Sequence, residues 1–422
     1  MENKIKIPEL RFKKFSDEWD EKRLGEVAKI YDGTHSTPEY TKVGIPFYSV
    51  EHVTSNNYDN TKYISSEVYE NENRRIKLER GDILMTRIGD IGSSKYLDWD
   101  VKASFYVSLA LIKQSNKYNS KFLNQYIKTS IFQNELHQRT LHIAFPKKIN
   151  LGEINKCITL LPSLPEQEKI AAFLSKVDEK IEKTQKKKEL WEKYKKGIMQ
   201  QLFSQELRFK ADDGKDFPDW QKKRFGDVFT FLPTNSFSRA LLNSDKGEIH
   251  NIHYGDIHTK YQSFLDAQRH KIPFINQDVD LSRVNLNSYC REGDLIIADA
   301  SEDYADIGKA TEIKNIKGAK ILAGLHTFLA RDNKNLTAFG YRGYILLEDK
   351  VKRAIKEAAT GISVLGISKT NLSKVFINLP TLSEQQKIAS FFTAIDSKIE
   401  LVSNELQGLK EFKKGLLQKM FV

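Results

Sequence analysis

The side chains of this chain that could hold a metal ion are gathered most densely in the segment HNIHYGDIH, which contains His250, His253 and His258. A zinc site of the common kind combines histidine and cysteine at short, regular spacings. The spacing here fits no such pattern, and neither cysteine, Cys157 or Cys290, is close in sequence. The segment therefore predicts ordinary polar residues of a loop or strand and no metal centre.

Sequence motifs of catalysis are equally absent. An adenine or cytosine amino-methyltransferase needs an N/D-P-P-Y/F/W segment, yet no Pro-Pro dipeptide occurs. The nearest approach to a phosphate-binding loop is GISVLGIS at 361–368, which puts Ile367 where the lysine belongs. Neither the surroundings of Asp219 nor DEK at 178–180 forms the carboxylate cluster of a nuclease, and no G-x-S-x-G is present. We predict that the chain is not an enzyme.

The strongest signal in the sequence is an internal repeat. Residues 161–182 and 379–400 are identical at 13 of 22 positions without a gap, at a constant offset of 218. The same offset aligns YKKGIMQQLF at 194–203 with FKKGLLQKMF at 412–421. The beginnings of the two halves also resemble each other, whereas the stretches between diverge. The chain thus alternates variable and constant regions.

Each constant region has the pattern of a long helix. The second opens with Ser383 as a candidate N-cap and Gln386 three residues on, which would complete a capping box. Apolar residues then recur every seven residues over five heptads, which is typical of a coiled coil. Two such helices are expected to pair antiparallel; the alternative is that each packs on its own globular half. The predicted seam residues are Ile170, Leu174, Val177, Ile181, Trp191, Ile198, Leu202, Ile388, Phe392, Ile395, Ile399, Val402, Leu406, Leu409, Leu416 and Met420.

The variable regions are predicted to mix strands and helices. β-rich runs such as GIPFYSV (44–50), GDILMTRI (81–88) and FYVSLALIK (105–113) are separated by Gly, Asn and Asp, and 121–138 has helical spacing. GDLIIADA (293–300) matches the second of these runs. The predicted fold class is therefore α/β (α+β): two globular domains separated by two long helices that form an antiparallel coiled coil, with pseudo-two-fold symmetry.

The composition indicates which class of partner and which cellular compartment to expect. The chain has 67 basic and 56 acidic residues, a net charge of +11, which favours a polyanionic partner because basic surfaces release counterions from phosphates. Two cysteines make no disulfide framework, which suits a reducing compartment. The N-terminal residues lack the apolar run of a signal peptide, and no stretch reaches eighteen apolar residues. We expect a cytoplasmic location and no membrane.

With LPEQEKIAAFLSKVDEKIE, LSEQQKIASFFTAIDSKIE and the twin KKG ends, the sequence resembles the specificity (S) subunit family of Type I restriction–modification systems. The stretch YDGTHSTPEYTKVGIPFYSV (31–50) is similar to the start of one class of the family's target-recognition domain. The resemblance covers essentially the whole chain. It implies target-recognition domains at 1–160 and 205–378, and conserved spacer helices at 161–204 and 379–422.

The resemblance also implies partners and cofactors. Each variable domain would read one half of a bipartite site in double-stranded DNA, and the paired helices would set the spacing and dock two methylation (M) subunits. Those subunits would carry S-adenosylmethionine and flip the target adenine. Restriction (R) subunits would bring ATP and Mg, and this chain would bind no cofactor itself.

DNA contacts are expected from polar, basic and aromatic residues of the variable regions. A structural surface role is the alternative for each of them. The candidates are Thr34, His35, Thr86, Arg87, Ser93, Ser94, Lys95, His142, Lys147 and Lys148 in the first half, and Tyr254, His258, Ser301, Tyr304, Ser363 and Lys369 in the second. The lysine-rich stretch at 183–196 fits DNA phosphates and a solvated helix face equally well.

Two other functions remain open at this level. A structural or adaptor protein could use the paired helices as a scaffold without reading DNA sequence. Such a scaffold, however, has no reason for its two globular regions to differ in sequence. A self-sufficient DNA-modifying enzyme is opposed by the missing motifs, and an assay of the purified chain with labelled S-adenosylmethionine would separate that case.

Overall fold

The computed structural model describes residues 7–282, 284–304 and 306–422, which form two compact units. Unit 1 comprises Met1–Lys187 and Ser403–Val422, and unit 2 comprises Lys188–Val402. Each unit therefore holds one globular half and parts of both long helices. Within the described residues, no helix is both long and apolar enough to cross a membrane.

Unit 1 is built from short strands and helices followed by the first long helix. Two sheets carry it, a four-stranded sheet in the order β2-β8-β5-β6 and a three-stranded sheet in the order β4-β3-β7, with a separate β1-β9 ribbon. The elements are β1 Asp20–Arg23, α1 Leu24–Val27, β2 Ile30–Asp32, β3 Ile45–Tyr48, α2 Val50–Ser55, β4 Lys62–Ile64, α3 Ser66–Glu72, β5 Ile83–Ile88, β6 Asp90–Tyr96, β7 Ser104–Phe105, β8 Leu109–Ile112, α4 Ser120–Ile127, α5 Ser130–Arg139, α6 Leu151–Lys156, β9 Ile158–Leu161 and α7 Leu164–Phe203.

Unit 2 repeats this plan with one strand more in each large sheet. Its sheets have the orders β11-β20-β16-β18-β14 and β12-β15-β13-β19, with small β10-β22 and β17-β21 ribbons. The elements are β10 Gln221–Arg224, α8 Phe225–Val228, β11 Thr230–Leu232, β12 Leu242–Asn243, β13 Ile249–Ile252, α9 Tyr254–Thr259, β14 Phe264–Asp266, β15 Phe274–Ile275, β16 Leu295–Ala298, β17 Ala300–Ser301, β18 Ala310–Lys314, β19 Lys320–Ala323, β20 Thr327–Arg331, α10 Arg342–Ile345, α11 Asp349–Ala358, β21 Leu365–Gly366, α12 Lys369–Lys374, β22 Phe376–Leu379 and α13 Leu382–Lys419.

Local signals in the sequence explain several boundaries, and three predictions are corrected. The single helix predicted at 121–138 is two helices, because the Thr129 hydroxyl accepts a hydrogen bond from Phe132 N at 3.3 Å and caps α5. The predicted strand at 105–113 is divided between β7 and β8. The first turn of α13 is capped by Thr381 Oγ1, which accepts from Glu384 N, so Ser383 is not the cap.

The start of each long helix is fixed by the same buried ion pair in both units. Arg11 donates to both carboxylate oxygens of Glu166, at 2.8 and 2.7 Å, and Arg208 does the same to Glu384, at 3.1 and 2.8 Å. Both carboxylates are almost fully buried. Bidentate pairing of this kind fixes orientation as well as charge. The sequence ELRF, present once in each half, therefore anchors each globular half to its own helix.

The long helices run antiparallel in each unit. In unit 1, Asp178 of α7 binds Lys413 of α13 at 2.5 Å, and Lys180 binds Glu405 at 2.9 Å. In unit 2, Lys195 binds Asp396 at 2.6 Å. Asp178 and Asp396 are 218 residues apart, and so are Lys195 and Lys413. The two ion pairs that these residues form are therefore related by the same offset as the sequence repeat.

The predicted seam residues are all buried or half-buried. In unit 1, Ile170 and Leu174 lie in one core cluster with Trp19, and the end of α13 adds Phe421 to the same cluster. In unit 2, the Trp191 ring packs against the core and lies under the Lys398 ammonium at 4.8 Å. The helices thus pair with each other and also pack on the globular halves, so both arrangements considered for them occur.

A buried carboxylate of unit 2 makes its stability depend on pH. Glu312 of β18 accepts hydrogen bonds from the Gly340 and Gly343 backbones at 2.7 and 3.0 Å, while burial raises its pKa from 4.5 to about 7. Because the folded pKa is raised, the charged form opposes folding above pH 7, and the penalty is relieved as the pH falls towards 4.5. The free energy of unfolding of unit 2 is expected to drop by about 1 kcal/mol from pH 6 to pH 8.

Hydrogen exchange of the β18 amides at the two pH values, with exchange rates corrected for pH, measures this dependence. Glu312→Gln is expected to abolish it while the amides of unit 1 stay unchanged. Equal pH dependence in the variant and the parent would show that Glu312 is not the group responsible.

Candidate nucleic-acid interface

Three loops of unit 1 meet at one end of the sheet β2-β8-β5-β6. Val107 N donates to Thr34 O at 2.9 Å, which joins the turn before β8 to the loop after β2. Gly89 N donates to Lys147 O at 2.8 Å, which joins the end of β5 to the loop before α6. The variable loops singled out by the sequence are therefore neighbours, although they come from distant parts of the chain.

Arg87 holds these loops together from inside. Its side chain is buried, with Nη1 donating to Val107 O at 2.7 Å and Nε donating to Ile149 O at 3.1 Å. Burial lowers the pKa of this guanidinium, which nevertheless stays charged at neutral pH. Arg87 thus positions the loops through two of its guanidinium nitrogens.

The loop before α6 ends in an apolar tip. Leu141 N donates to Lys148 O at 2.8 Å and closes the loop, while the side chains of Ile143 and Phe145 are fully exposed, at 99% and 104%. His142, Lys147 and Lys148 beside them are also exposed. A soluble domain exposes single apolar residues at little cost. Two fully exposed ones on a loop closed by its own hydrogen bonds indicate a contact surface.

Unit 2 builds the same loop at the equivalent place. Thr360 and Gly366 exchange two backbone hydrogen bonds, at 2.9 and 2.8 Å, and close a loop that is one residue shorter. Its tip carries Ile362, fully exposed at 102%, and Val364, half-exposed. Lys369 follows at the start of α12. Both units therefore project an apolar tip flanked by lysine from the same end of the equivalent sheet.

The residue that ties the loop to the sheet differs between the units. Asp299 of unit 2 occupies the position of Arg87 in unit 1, because the backbones of both accept the same kind of hydrogen bond. Ile367 N donates to Asp299 O at 2.9 Å, and Ile149 N donates to Arg87 O at 3.0 Å. The Asp299 carboxylate lies 3.2 Å from His326 Nδ1. Burial raises the pKa of Asp299, and the neighbouring His326 opposes the shift.

A cleft opens beside the loops in each unit. In unit 2 it has a volume of about 850 Å³ and is lined by Asn235, Asp299, His326 and Lys369 among others. In unit 1 the cleft measures about 170 Å³. Asp32 lies in the latter, where it pairs with His35 and Arg75, both at 2.8 Å. Burial alone would raise the pKa of Asp32, but the hydrogen bonds from Arg75 and His35 lower it.

Of the sixteen candidate contact residues, seven lie at this end of the units: Thr34, His35, His142, Lys147, Lys148, Ser363 and Lys369. Tyr254 is close by, with its ring 5.4 Å from that of His326. His258 Nε2 donates to Ala300 O at 2.9 Å, and Tyr304 is exposed beneath the Lys356 ammonium. DNA contact by any of these remains a prediction.

Three of the candidate contact residues, Thr86, Arg87 and Ser301, are buried in the structure. Thr86 is fully buried and donates to Asp90 at 2.9 Å, and Ser301 is buried and donates to Asp303 O at 2.8 Å. Residues at strand ends resemble exposed loop residues in sequence, but here the adjoining loops cover them. Ser93, Ser94 and Lys95 lie along β6.

The three histidines of the HNIHYGDIH segment are used locally. His250 Nδ1 bonds to Ile272 O at 2.9 Å, and His253 Nδ1 accepts from Gly255 N at 3.2 Å. In the part of the chain that the structure describes, no three His, Cys, Asp or Glu side chains are grouped to hold a metal ion. Each of the three histidines makes a hydrogen bond to a backbone group of unit 2.

Sequence reasoning missed the residues at the tips and in the larger cleft, namely Ile143, Phe145, Ile362, Val364, Asn235, Asp299 and His326. The apolar tips gave no signal because LHIAFPKK is indistinguishable by composition from a short buried segment. The three missed cleft residues come from three separate loops, so no spacing in the sequence connects them.

Two α/β units with the same sheet, cleft and protruding loop, each joined to a repeated long helix, define a duplicated recognition protein with two equivalent surfaces. Residues 16–192 and 218–411 match the family described as Type I restriction modification DNA specificity domain. The chain belongs to this family.

Relatives extend the match over nearly the whole chain. The putative type I restriction enzyme MjaX specificity subunit of Methanocaldococcus jannaschii is 23% identical over 421 residues, covering 95% of this chain and 92% of the relative. The MjaVIII specificity subunit of the same organism is 24% identical over 416 residues, covering 95% and 91%.

Solved structures show the same fold. The crystal structure of the Type I restriction–modification S subunit from M. genitalium has a TM-score of 0.61 at 13% identity and covers 99% of both chains. A structure from work on complex assembly and conformational transition of the type I system has a TM-score of 0.50 at 16% identity, covering 96% and 97%. The predicted fold class is confirmed.

Proposed function

We propose that this chain is the DNA specificity subunit of a Type I restriction–modification complex and that each unit reads one half of a bipartite DNA site. The observation that carries the proposal is the pair of equivalent loops, each with an apolar tip and flanking lysine, beside a cleft at the same end of both sheets. Family membership supplies the context. Two equivalent surfaces in one chain fit two short half-sites better than one continuous site.

The chemistry of the loops suits duplex DNA. Lys147, Lys148 and Lys369 supply charge for phosphates, which orients a protein on the duplex without reading sequence. An exposed aliphatic or aromatic side chain at a loop tip packs against bases or between base steps and favours steps that unstack easily. In unit 2, Asn235 and the Asp299–His326 pair add hydrogen-bonding groups that discriminate base edges.

Catalysis would come from partners. Two methylation subunits docked on the paired helices would carry S-adenosylmethionine, and restriction subunits would supply ATP- and Mg-dependent translocation and cleavage. This chain would then bind no cofactor and catalyse no step. The helices of 40 and 38 residues are each about 60 Å long, enough to set the distance between two half-sites.

Tip variants test the assignment one half-site at a time. Phe145→Ser is expected to weaken binding of the cognate duplex by the complex with methylation subunits about 10- to 100-fold, because one base contact of this kind contributes about 1–3 kcal/mol. Since Phe145 is fully exposed, the melting temperature should not change. Fluorescence anisotropy with duplexes mutated in either half assigns the loss to a half-site.

The matched variant is Ile362→Ser in unit 2, whose effect should fall on the other half-site. A genome-wide map of N6-methyladenine, with and without the gene, supplies the motif. Loss of methylation at one bipartite motif on deletion supports the proposal. An unchanged map, or tip variants with full affinity for both halves, would favour the scaffold alternative.

A further inference from the structure

The two units differ at one edge of the larger sheet. In unit 2, the outermost strand β14 pairs parallel with β18, with Phe264 opposite Glu312 and Asp266 opposite Lys314. In unit 1, the strand equivalent to β18 is β6, and among the described residues β6 pairs with β5 alone. An edge that unit 2 covers with its own chain is therefore open in unit 1.

The difference originates in one connection. Six residues, 56–61, join α2 to β4 in unit 1, whereas fourteen, 260–273, join the equivalent α9 to β15 in unit 2. β14 lies within the longer connection. Unit 1 lacks the residues from which such a strand could be made.

The open edge presents unpaired backbone groups. Leu97 N donates to Asp82 O across the ladder to β5, so the neighbouring residues Tyr96 and Asp98 turn their N–H and C=O groups away from β5. The same relation holds in unit 2, where Ile313 N donates to Asp294 O and the outward Glu312 N donates to Ser263 O at 2.9 Å. β6 is seven residues long. Edges of this length are normally blunted or covered because they pair with other chains.

A polar groove runs along this edge. Its volume is about 910 Å³, and it lies between β6, α4 and the unit 1 parts of the long helices. Ser94 Oγ and Asn124 Oδ1 are buried there without a hydrogen-bond partner. Asn124 is exposed by only 7%. A buried acceptor without a partner costs about 1–3 kcal/mol, which a ligand carrying donors would recover.

We propose that this groove of unit 1 binds an extended segment of a partner polypeptide, which adds to the edge of β6 as β14 adds to β18 in unit 2. The partner segment is a short strand similar in side-chain chemistry to Ser263–Phe264–Leu265–Asp266. One apolar side chain of this strand points inward, and its backbone N–H groups donate to the unpaired carbonyl oxygens of β6. In unit 2, Leu265 is fully buried and Phe264 packs edge-on against Tyr344 at 5.1 Å. Main-chain pairing supplies affinity and the alternate side chains supply selectivity.

One side chain limits how closely the occupant approaches. Gly343 of α10 lies so near β14 that a Cβ there would come within 2.2 Å of Ser263 O. The residue 218 positions earlier is Gln125, whose carboxamide therefore meets the incoming strand in unit 1. The proposal concerns a protein–protein contact, so it does not depend on DNA reading by the same unit.

A peptide with the sequence of residues 261–269 is a direct probe. Added to the full chain, it is expected to slow hydrogen exchange of the Tyr96 and Asp98 amides at least about tenfold, in a saturable manner. A control peptide with aspartate at the positions of Phe264 and Leu265 should have no effect. If the first peptide leaves both amides unchanged at saturation, the proposal is wrong.

Two variants give the test independent readouts. Tyr96→Pro removes an outward N–H and leaves the ladder to β5 intact, so peptide binding should be lost while unit 1 stays folded. Gln125→Gly should tighten binding, because it recreates the close approach that Gly343 permits. Looser or unchanged binding by Gln125→Gly would contradict the assigned geometry even if the proline variant failed to fold.

Discussion

Replacing Phe421 with alanine is expected to lower the free energy of unfolding of unit 1 by about 3–5 kcal/mol. The ring lies beyond the end of α13 and is buried against Trp19 at 6.1 Å, Phe122 at 5.4 Å and Tyr126 at 5.8 Å. Its removal leaves a cavity lined by rigid aromatic rings, which cannot collapse to fill it. Urea unfolding, followed by hydrogen exchange of the α4 amides, measures the change.

The chain supplies two comparisons for this prediction. Phe412→Ala, within α13, removes a ring that is 53% exposed and should cost little. Phe203→Ala removes the equivalent ring of α7, which contacts Trp220 at 6.2 Å, and should destabilise unit 2 instead. Equal losses for Phe412→Ala and Phe421→Ala would show that burial in the core does not set the effect.

The scaffold was predictable because it is repeated. An offset of 218 relates Phe203 to Phe421 and Glu166 to Glu384, and a residue type kept in both copies must satisfy the same contacts twice. The heptad spacing located the buried stripe of both helices. It did not indicate that part of the apolar face of each helix would pack against a globular half, since the same apolar residues can pack against a helix or a sheet.

The candidate interface was predictable only in outline. The alignment of GDILMTR with GDLIIAD put Arg87 opposite Asp299, yet a buried clamp and an exposed contact look alike in sequence. The partners of Arg87, the carbonyls of Val107 and Ile149, are 20 and 62 residues away. Such contacts depend on how the loops close, and no local pattern encodes that.

Arg87→Ala is expected to abolish reading of one half-site while the other half-site is still read. The substitution leaves the buried carbonyl oxygen of Ile149 and the part-buried one of Val107 without these donors, at up to about 1–3 kcal/mol each. The loop that carries Ile143 and Phe145 then loses its side-chain tie to the sheet and is held by the backbone bonds Gly89 N–Lys147 O and Ile149 N–Arg87 O alone. Arg87→Lys should fail similarly, because an ammonium does not reproduce two separate guanidinium hydrogen bonds.

Anisotropy with duplexes mutated in one half, and methylation by the assembled complex, report the loss. Arg74→Ala is the matched control, since it removes the same charge from an exposed site of unit 1 and should leave half-site discrimination unchanged. A uniform weakening on all duplexes, equal for Arg74→Ala and Arg87→Ala, would mean that Arg87 acts through net charge. A loss confined to one half in Arg87→Ala alone would mean that a buried cation, which touches no base, fixes which sequence the unit 1 loops can read.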